Sequence, residues 1–352
     1  MCNGEVNDSI KNSLEQIKPN TITHKFDQST LGEMVLPQER DHQLLEASNL
    51  LDLGVEQQQA GELIAALKSL QQALQMFRAV GNIQQQKQVL SFLALVTYTS
   101  GDYQSTISYS QQCLALEQTS PDLLSEMQAL SLLGNAYRHL KDYKRAIKYL
   151  QRGLKITLQM SNKRSQVAAL NNLGLVYKAA GKFAQAIEYQ KQSLALVEEL
   201  DDNWGMEQVL NNIGNTYYAL DNYPEAIAYY ERCVRIARLF SHIRHASNVL
   251  RNLGKACCAT GNYGKAILYY EERLQLAKDL KDTRIQEQSL RNLGVTCEAL
   301  GDYKQAIKYY EERLLLGRQI RDAQIEKQSL ASLKFTCEAL GDYAKVIEYE
   351  EG

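Results

Sequence analysis

The sequence predicts an all-α solenoid built from about eight stacked, antiparallel helix pairs. Three observations predict it. A Leu-Gly landmark recurs every 40 residues without an insertion, a turn landmark keeps the same 40-residue beat, and the residues between them are apolar at helical offsets. Self-similarity at a fixed period of this size marks an array in which each copy is one supersecondary unit. Composition agrees: 352 residues carry only four prolines but 21 tyrosines, and 45% of the residues are hydrophobic against 23% charged. These are the proportions of a folded protein with few chain breakers.

Along the chain, residues 1–41 break the period and read as a flexible non-repeat tail, with one short helix expected around Ile10–Ile17. The array occupies 42–352, with copies at 42–81, 82–121, 122–161, 162–201, 202–241, 242–281, 282–321 and an incomplete 322–352. Its first landmark runs Leu53-Gly54, Leu93-Ala94, Leu133-Gly134, Leu173-Gly174, Ile213-Gly214, Leu253-Gly254, Leu293-Gly294 and Leu333-Lys334. A small residue there lets the two helices of a pair approach closely, so Lys334 predicts looser packing in the last copy. The second landmark is Gly61, Gly101, Lys141, Gly181, Asp221, Gly261, Gly301 and Gly341. Glycine at the end of a first helix supplies the left-handed backbone of a C-cap. In all but the first copy an aromatic follows two places later, from Tyr103 to Tyr343.

Between the landmarks, Leu170, Leu173 and Tyr177, then Phe183, Ala186, Ile187 and Leu194, fall at the offsets of an amphipathic helix. Ser120-Pro121 reads as a capping hydroxyl before a first-turn proline, and Pro224 after Asp221-Asn222 opens a second helix in the same way. No single pair buries its apolar stripe alone, so stability belongs to the stack. The eighth copy stops within its second helix, which would leave Leu330, Leu333, Phe335 and Ile347 poorly covered and makes self-association through that end an expectation.

Charge and cysteines bound the function. With 39 basic and 41 acidic side chains the net charge is −2, which lacks the basic surplus of a nucleic-acid binder. Neither a secretory leader nor an apolar stretch long enough to span a membrane is present, so a cytoplasmic protein without a membrane partner is expected. Seven cysteines, Cys2, Cys113, Cys233, Cys257, Cys258, Cys297 and Cys337, make an odd count that reads as reduced thiols. Cys257, Cys297 and Cys337 hold one equivalent position and read as small core residues. Gly261-Asn-Tyr-Gly264-Lys265-Ala266 lacks the spacing and the Ser/Thr of a phosphate loop and reads as an interhelix turn. His242 and His245 are spaced for a shared metal, but without an evident acidic or cysteine partner they read as a solvated pair. No catalytic motif, cofactor site or metal site is expected.

The pattern Leu-x-x-Leu-Gly-x-x-Tyr-x-x-x-Gly-x-Tyr-x-x-Ala-Ile, carried in the fifth copy by Leu210, Ile213, Gly214, Tyr217, Tyr223, Ala226, Ile227 and Tyr230, resembles the tetratricopeptide repeat. Leucine stands where that family often has tryptophan. The period of 40 is longer than the usual value of about 34 and is similar to the longer-helix branch of Pins-type adaptors, kinesin light chains and bacterial arrays. The resemblance implies a right-handed superhelix whose concave wall is lined by the first helix of each pair. It also implies a scaffold or adaptor that holds a protein or peptide there. Bacterial arrays of this kind are often fused to an effector such as a caspase-like peptidase, so a sensor arm is the alternative, with an assembly chaperone as a third.

On the wall so implied, Asn172, Asn212, Asn252 and Asn292 directly precede the Leu-Gly pair in copies four to seven. A carboxamide both donates and accepts, so a run of them would bond an extended backbone whatever its sequence. Asn171, Asn211, Arg251 and Arg291 stand one residue earlier, and Asn135, Asn215 and Lys255, then Arg138, Lys178 and Tyr218, lie further along the same face. Arginine grips carboxylates through paired, charge-assisted bonds, so the expected ligand is acidic or has a free C-terminus. Glu298 and Glu338 take the place of Arg138 in the last two copies, so the wall changes sign along its length.

Overall fold

The computed structural model describes residues 37–351. Sixteen α-helices and no strand stand among them: α1 (Pro37–Gln59), α2 (Leu63–Val80), α3 (Ile83–Ser100), α4 (Tyr103–Leu116), α5 (Leu123–His139), α6 (Tyr143–Gln159), α7 (Lys163–Ala179), α8 (Phe183–Glu199), α9 (Asn203–Ala219), α10 (Tyr223–Leu239), α11 (Ile243–Ala259), α12 (Tyr263–Asp279), α13 (Thr283–Leu300), α14 (Tyr303–Ile320), α15 (Ala323–Leu340) and α16 (Tyr343–Glu351). Odd-numbered helices are the first of each pair and even-numbered ones the second. The chain forms an all-α repeat solenoid and divides into two compact units, one up to Glu199 and one from Leu200. The short helix expected around Ile10–Ile17, and Cys2, lie outside the described residues. Residues 37–41, assigned to that tail from the sequence, instead form the first turn of α1.

The same backbone event sets every helix end. All eight residues of the turn landmark, Lys141 and Asp221 included, have φ between 57° and 85°. The next residue donates its N–H to the carbonyl five positions back around the turn, as Asp102 does to Thr97 and Asn262 to Cys257, closing the paired C-terminal bonds of a Schellman motif. That residue is usually Asp or Asn, and its side chain accepts an N–H of the following helix: Asp102 from Ser105, Asp142 from Arg145 and Asn262 from Lys265. The phosphate-loop lookalike at Gly261 is thus the turn between α11 and α12.

A second, sequence-silent set repeats the device between copies. Gly81, Ser161, Asp201, Ser241, Lys281 and Arg321 all have φ between 50° and 74°. The one member of this series that departs is Pro121, because the pyrrolidine ring locks φ near about −65°. There α4 stops early at Leu116, and Asp122, not Ser120, caps the next helix by accepting the Leu124 N–H. The sequence placed the cap at Ser120, and the structure moves it two residues on.

In the first unit, Leu90, Leu93, Leu130 and Leu133 of the first helices and Leu70 and Leu150 of the second are almost fully buried. In the second unit, Leu290, Leu293 and Leu333 meet Tyr270, Tyr310 and Ala306. Cys257, Cys297 and Cys337 are buried in this core, and burial pushes the Cys257 and Cys297 thiols up to about 11. Leu333 is therefore covered and Leu330 partly so, while Phe335 (64% exposed) and Ile347 (56% exposed) do stand out.

In the fifth to seventh copies the glycine of the first landmark is a steric necessity. A Cβ at Gly214, Gly254 or Gly294 would come within 2.3–2.5 Å of the ring of Tyr230, Tyr270 or Tyr310. Gly254→Ala is expected to destabilise the second unit by about 1–3 kcal/mol through overpacking. Gly61→Ala meets no atom within 4 Å but must hold φ at 82°, so it carries only the backbone cost, about 1 kcal/mol. Denaturant midpoints of the two variants check the ranking.

Candidate functional site

The first helices of neighbouring copies also pack on one another, α3 on α5 and α5 on α7 in the first unit and α9 on α11 in the second. That contact decides where the asparagines go. Asn172 on α7 is buried and donates to Ser131 Oγ on α5 at 3.2 Å. Asn252 on α11 donates to Asn211 Oδ1 at 3.2 Å and Asn215 Oδ1 at 3.3 Å, both on α9. Asn215 Oδ1 also takes the Tyr230 hydroxyl at 2.7 Å. Asn135, Asn211 and Asn212 are buried, and neither carboxamide atom of Asn135 has a hydrogen-bond partner.

The open amide ladder is corrected on this point. Asn172 and Asn212 are 4% and 6% exposed, and Asn135 and Asn211 are more deeply covered still. At Asn172 and Asn212 the amide before the Leu-Gly pair is therefore enclosed rather than offered to solvent. Asn171, Asn215, Asn252, Asn292, Lys178 and Tyr218 are half-buried.

The cations fare differently. Lys255 and Arg291 are exposed and Arg251 is half-buried, with its Nε enclosed and lacking an acceptor. Behind them lies a residue the sequence reading missed. Arg273 on α12 is 1% exposed and donates to Ser247 O, Ser289 Oγ and Gln288 Oε1, three neutral acceptors. Burial, with Arg251 beside it, pulls the Arg273 guanidinium down to about 10, and burial followed by Arg251 and Arg273 lowers the Lys255 ammonium. One copy later, the equivalent Arg313 is buried too, but there Glu287 supplies a carboxylate at 2.6 Å. Ser247 holds the position of Glu287, so the sixth copy concentrates positive charge that the seventh neutralises. The only sequence signal was the repeated Tyr-Tyr-Glu-Glu-Arg at 269–273 and 309–313.

Two further polar knots surround this face. Glu207 on α9 is fully buried, and its two oxygens lie 2.7 Å from the Nδ1 atoms of His242 and His245. The histidine pair is thus not solvated as expected. Its acidic partner, 35 and 38 residues upstream, stood outside any local pattern. Among the described residues no group of three or more His, Cys, Asp or Glu is placed to hold a metal. Glu298, expected as a sign change on the wall, accepts the Tyr310 hydroxyl at 2.9 Å and the Thr336 hydroxyl at 2.5 Å.

In the first unit, Arg138 has an enclosed Nε without an acceptor, and its Nη2 lies 3.1 Å from His139 Nε2. Arginine only donates, so that ring nitrogen accepts. Burial, then the Arg138 charge, hold the His139 imidazole down to about 4. The folded state therefore resists a proton that the unfolded chain, with a value near 6.5, takes up. Stability is full above about pH 6.5 and falls as pH drops through that window toward 4. His139→Gln is expected to flatten this slope, and thermal unfolding across the window checks it.

Antiparallel helix pairs stacked in one register define a helical-repeat protein. The chain belongs to the tetratricopeptide repeat family. Models of that repeat match residues 86–159, 125–199, 165–238, 205–279 and 289–324, more than half of the sequence. No curated protein matches it. Among solved structures it is similar to BtubC (BKLC) from P. vanneervenii, at 20% identity over 69% of this chain and 92% of that one, with a TM-score of 0.53. A signal-transduction ATPase with numerous domains and a tetratricopeptide repeat sensor, from Pyrococcus horikoshii, shares 15% identity over 90% of this chain and 52% of its own, with a TM-score of 0.63. The chain therefore spans about half of that protein. The apo quorum sensor NprR from B. thuringiensis shares 15% identity over 89% and 97%, with a TM-score of 0.55. At these identities the likeness is one of fold.

Proposed function

We propose that this protein is a non-catalytic interaction scaffold that holds an acidic protein or peptide segment against its first helices. One observation carries the reading: Arg251, Lys255 and Arg291 occupy α11 and α13 with no carboxylate partner among the described ion pairs, beside a buried Arg273 that also lacks one. A bound carboxylate would relieve the mutual repulsion and give the enclosed Arg251 donor an acceptor after a small rotation. Half-buried Asn252, Asn292 and Tyr218 border the same face, whereas the enclosed amides act as ties between helices. Family membership supports a protein or peptide as the partner. No described helix is long and apolar enough to cross a membrane, and the cysteines described are free, which fits the cytoplasmic placement included in this proposal.

A second reading, the sensor arm of a larger effector, is favoured by two of the structural neighbours, one named a quorum sensor and the other an ATPase with a repeat sensor. The coding sequence beyond Gly352 separates the two readings.

The combined variant Arg251→Ala, Lys255→Ala and Arg291→Ala is expected to weaken binding of short acidic peptides by about tenfold or more, and to remove most of its salt dependence. Neutral peptides should be unaffected, and the melting temperature should stay within a few degrees. Fluorescence anisotropy with acidic, neutral and basic peptides measures this. Unchanged affinity for acidic peptides in the folded variant rejects the cationic face.

A further inference from the structure

The interruption at Pro121 leaves a feature that no other copy shares. Lacking the left-handed turn, the connection from Glu117 to Asp122 is strapped down by a buried lysine instead. Lys87 on α3 donates to Ser120 O at 2.6 Å and pairs with Glu117 at 3.2 Å, and Glu117 in turn accepts the Asp122 N–H. Beside this strap a cavity of about 190 Å³ opens between α3 and α5, with Phe92, Leu124, Ser91, Ser125 and Gln128 among its walls. Gln128 is more than nine-tenths buried, yet its Nε2 has no hydrogen-bond partner. A buried amide left unpaired is unfavourable, and natural structures keep few of them.

We infer that this cavity is a binding site for one carboxamide side chain, an asparagine or glutamine of a bound protein segment. The volume suits a single side chain, since an apolar cavity of about 150 Å³ takes up a benzene molecule. Phe92 and Leu124 offer apolar walls to its stem. Its end must match Gln128, whose amide presents a donor in one orientation and an acceptor in the other, and a carboxamide complements both. A carboxylate is disfavoured because the one ammonium in the walls, Lys87, is already neutralised by Glu117, and Asp122 adds like charge. A lysine would meet the buried ammonium. The site lies in the first unit and is independent of the cationic face on α11 and α13.

The test uses the full chain with isotope-labelled glutamine and three probes: the methylamides of N-acetylglutamine, N-acetylglutamate and N-acetylleucine. The glutamine probe should shift the Gln128 side-chain amide resonance saturably and bind at least about fivefold tighter than the other two. Gln128→Leu removes the unpaired donor, so its melting temperature should be equal or higher, while binding of the glutamine probe falls about tenfold or more. Absence of a saturable shift overturns the site, as does equal binding of the leucine probe or retained binding by Gln128→Leu. If Gln128→Leu does not fold, the wild-type titration alone decides. Loss of acidic-peptide binding in the α11 and α13 variant leaves this response untouched, so failure of either reading is told apart from failure of the other.

Discussion

The fold depends on one backbone constraint, a single left-handed residue at nearly every helix end, usually followed by an Asp or Asn that starts the next helix. The reversal takes two or three residues, so helices of 18 or 17 residues alternate without phase drift along most of the chain. Fixed phase is what lets Gly214, Gly254 and Gly294 each meet the equivalent ring on the second helix, with no room for a methyl group. It also brings the same polar positions of neighbouring first helices into contact. Proline at 121 is incompatible with the constraint, and the chain answers with a longer connection held by a buried ion pair.

Half of these reversals were legible in the sequence. The turns within pairs carry glycine at six of eight positions, and glycine adopts a positive φ readily. The turns between copies use Ser, Asp, Lys and Arg in the same conformation, so only the period itself betrayed them. Repeat phase, core cysteines and the close-approach glycines were readable because each recurs at one spacing. What the sequence concealed were partners on other helices: Glu207 for the two histidines, Glu287 for Arg313, and Ser131 for Asn172. Periodicity says which face a residue occupies but not whether the adjoining helix covers that face.

The asparagines show how this matters for function. Read one copy at a time, they line an open wall; packed copy on copy, Asn135, Asn172, Asn211 and Asn212 are enclosed, and Asn172 and Asn252 tie neighbouring first helices together. Asn252, Asn211 and Asn215 bond one another at a seam where apolar residues would pack equally well but without fixed register. Lys255 and Arg291 stay exposed where Asn172, Asn211 and Asn212 are covered, which is why the positive face is open to solvent and those amides are not.

The histidine-glutamate knot has one more consequence. The single tryptophan of the chain, Trp204, lies with its ring 5.2 Å from that of His242 and 5.5 Å from that of His245. Its emission is therefore a built-in optical gauge of the seam between α9 and α11, unmixed with signal from any other indole. The protein arrives already labelled at one junction between neighbouring copies in the second unit.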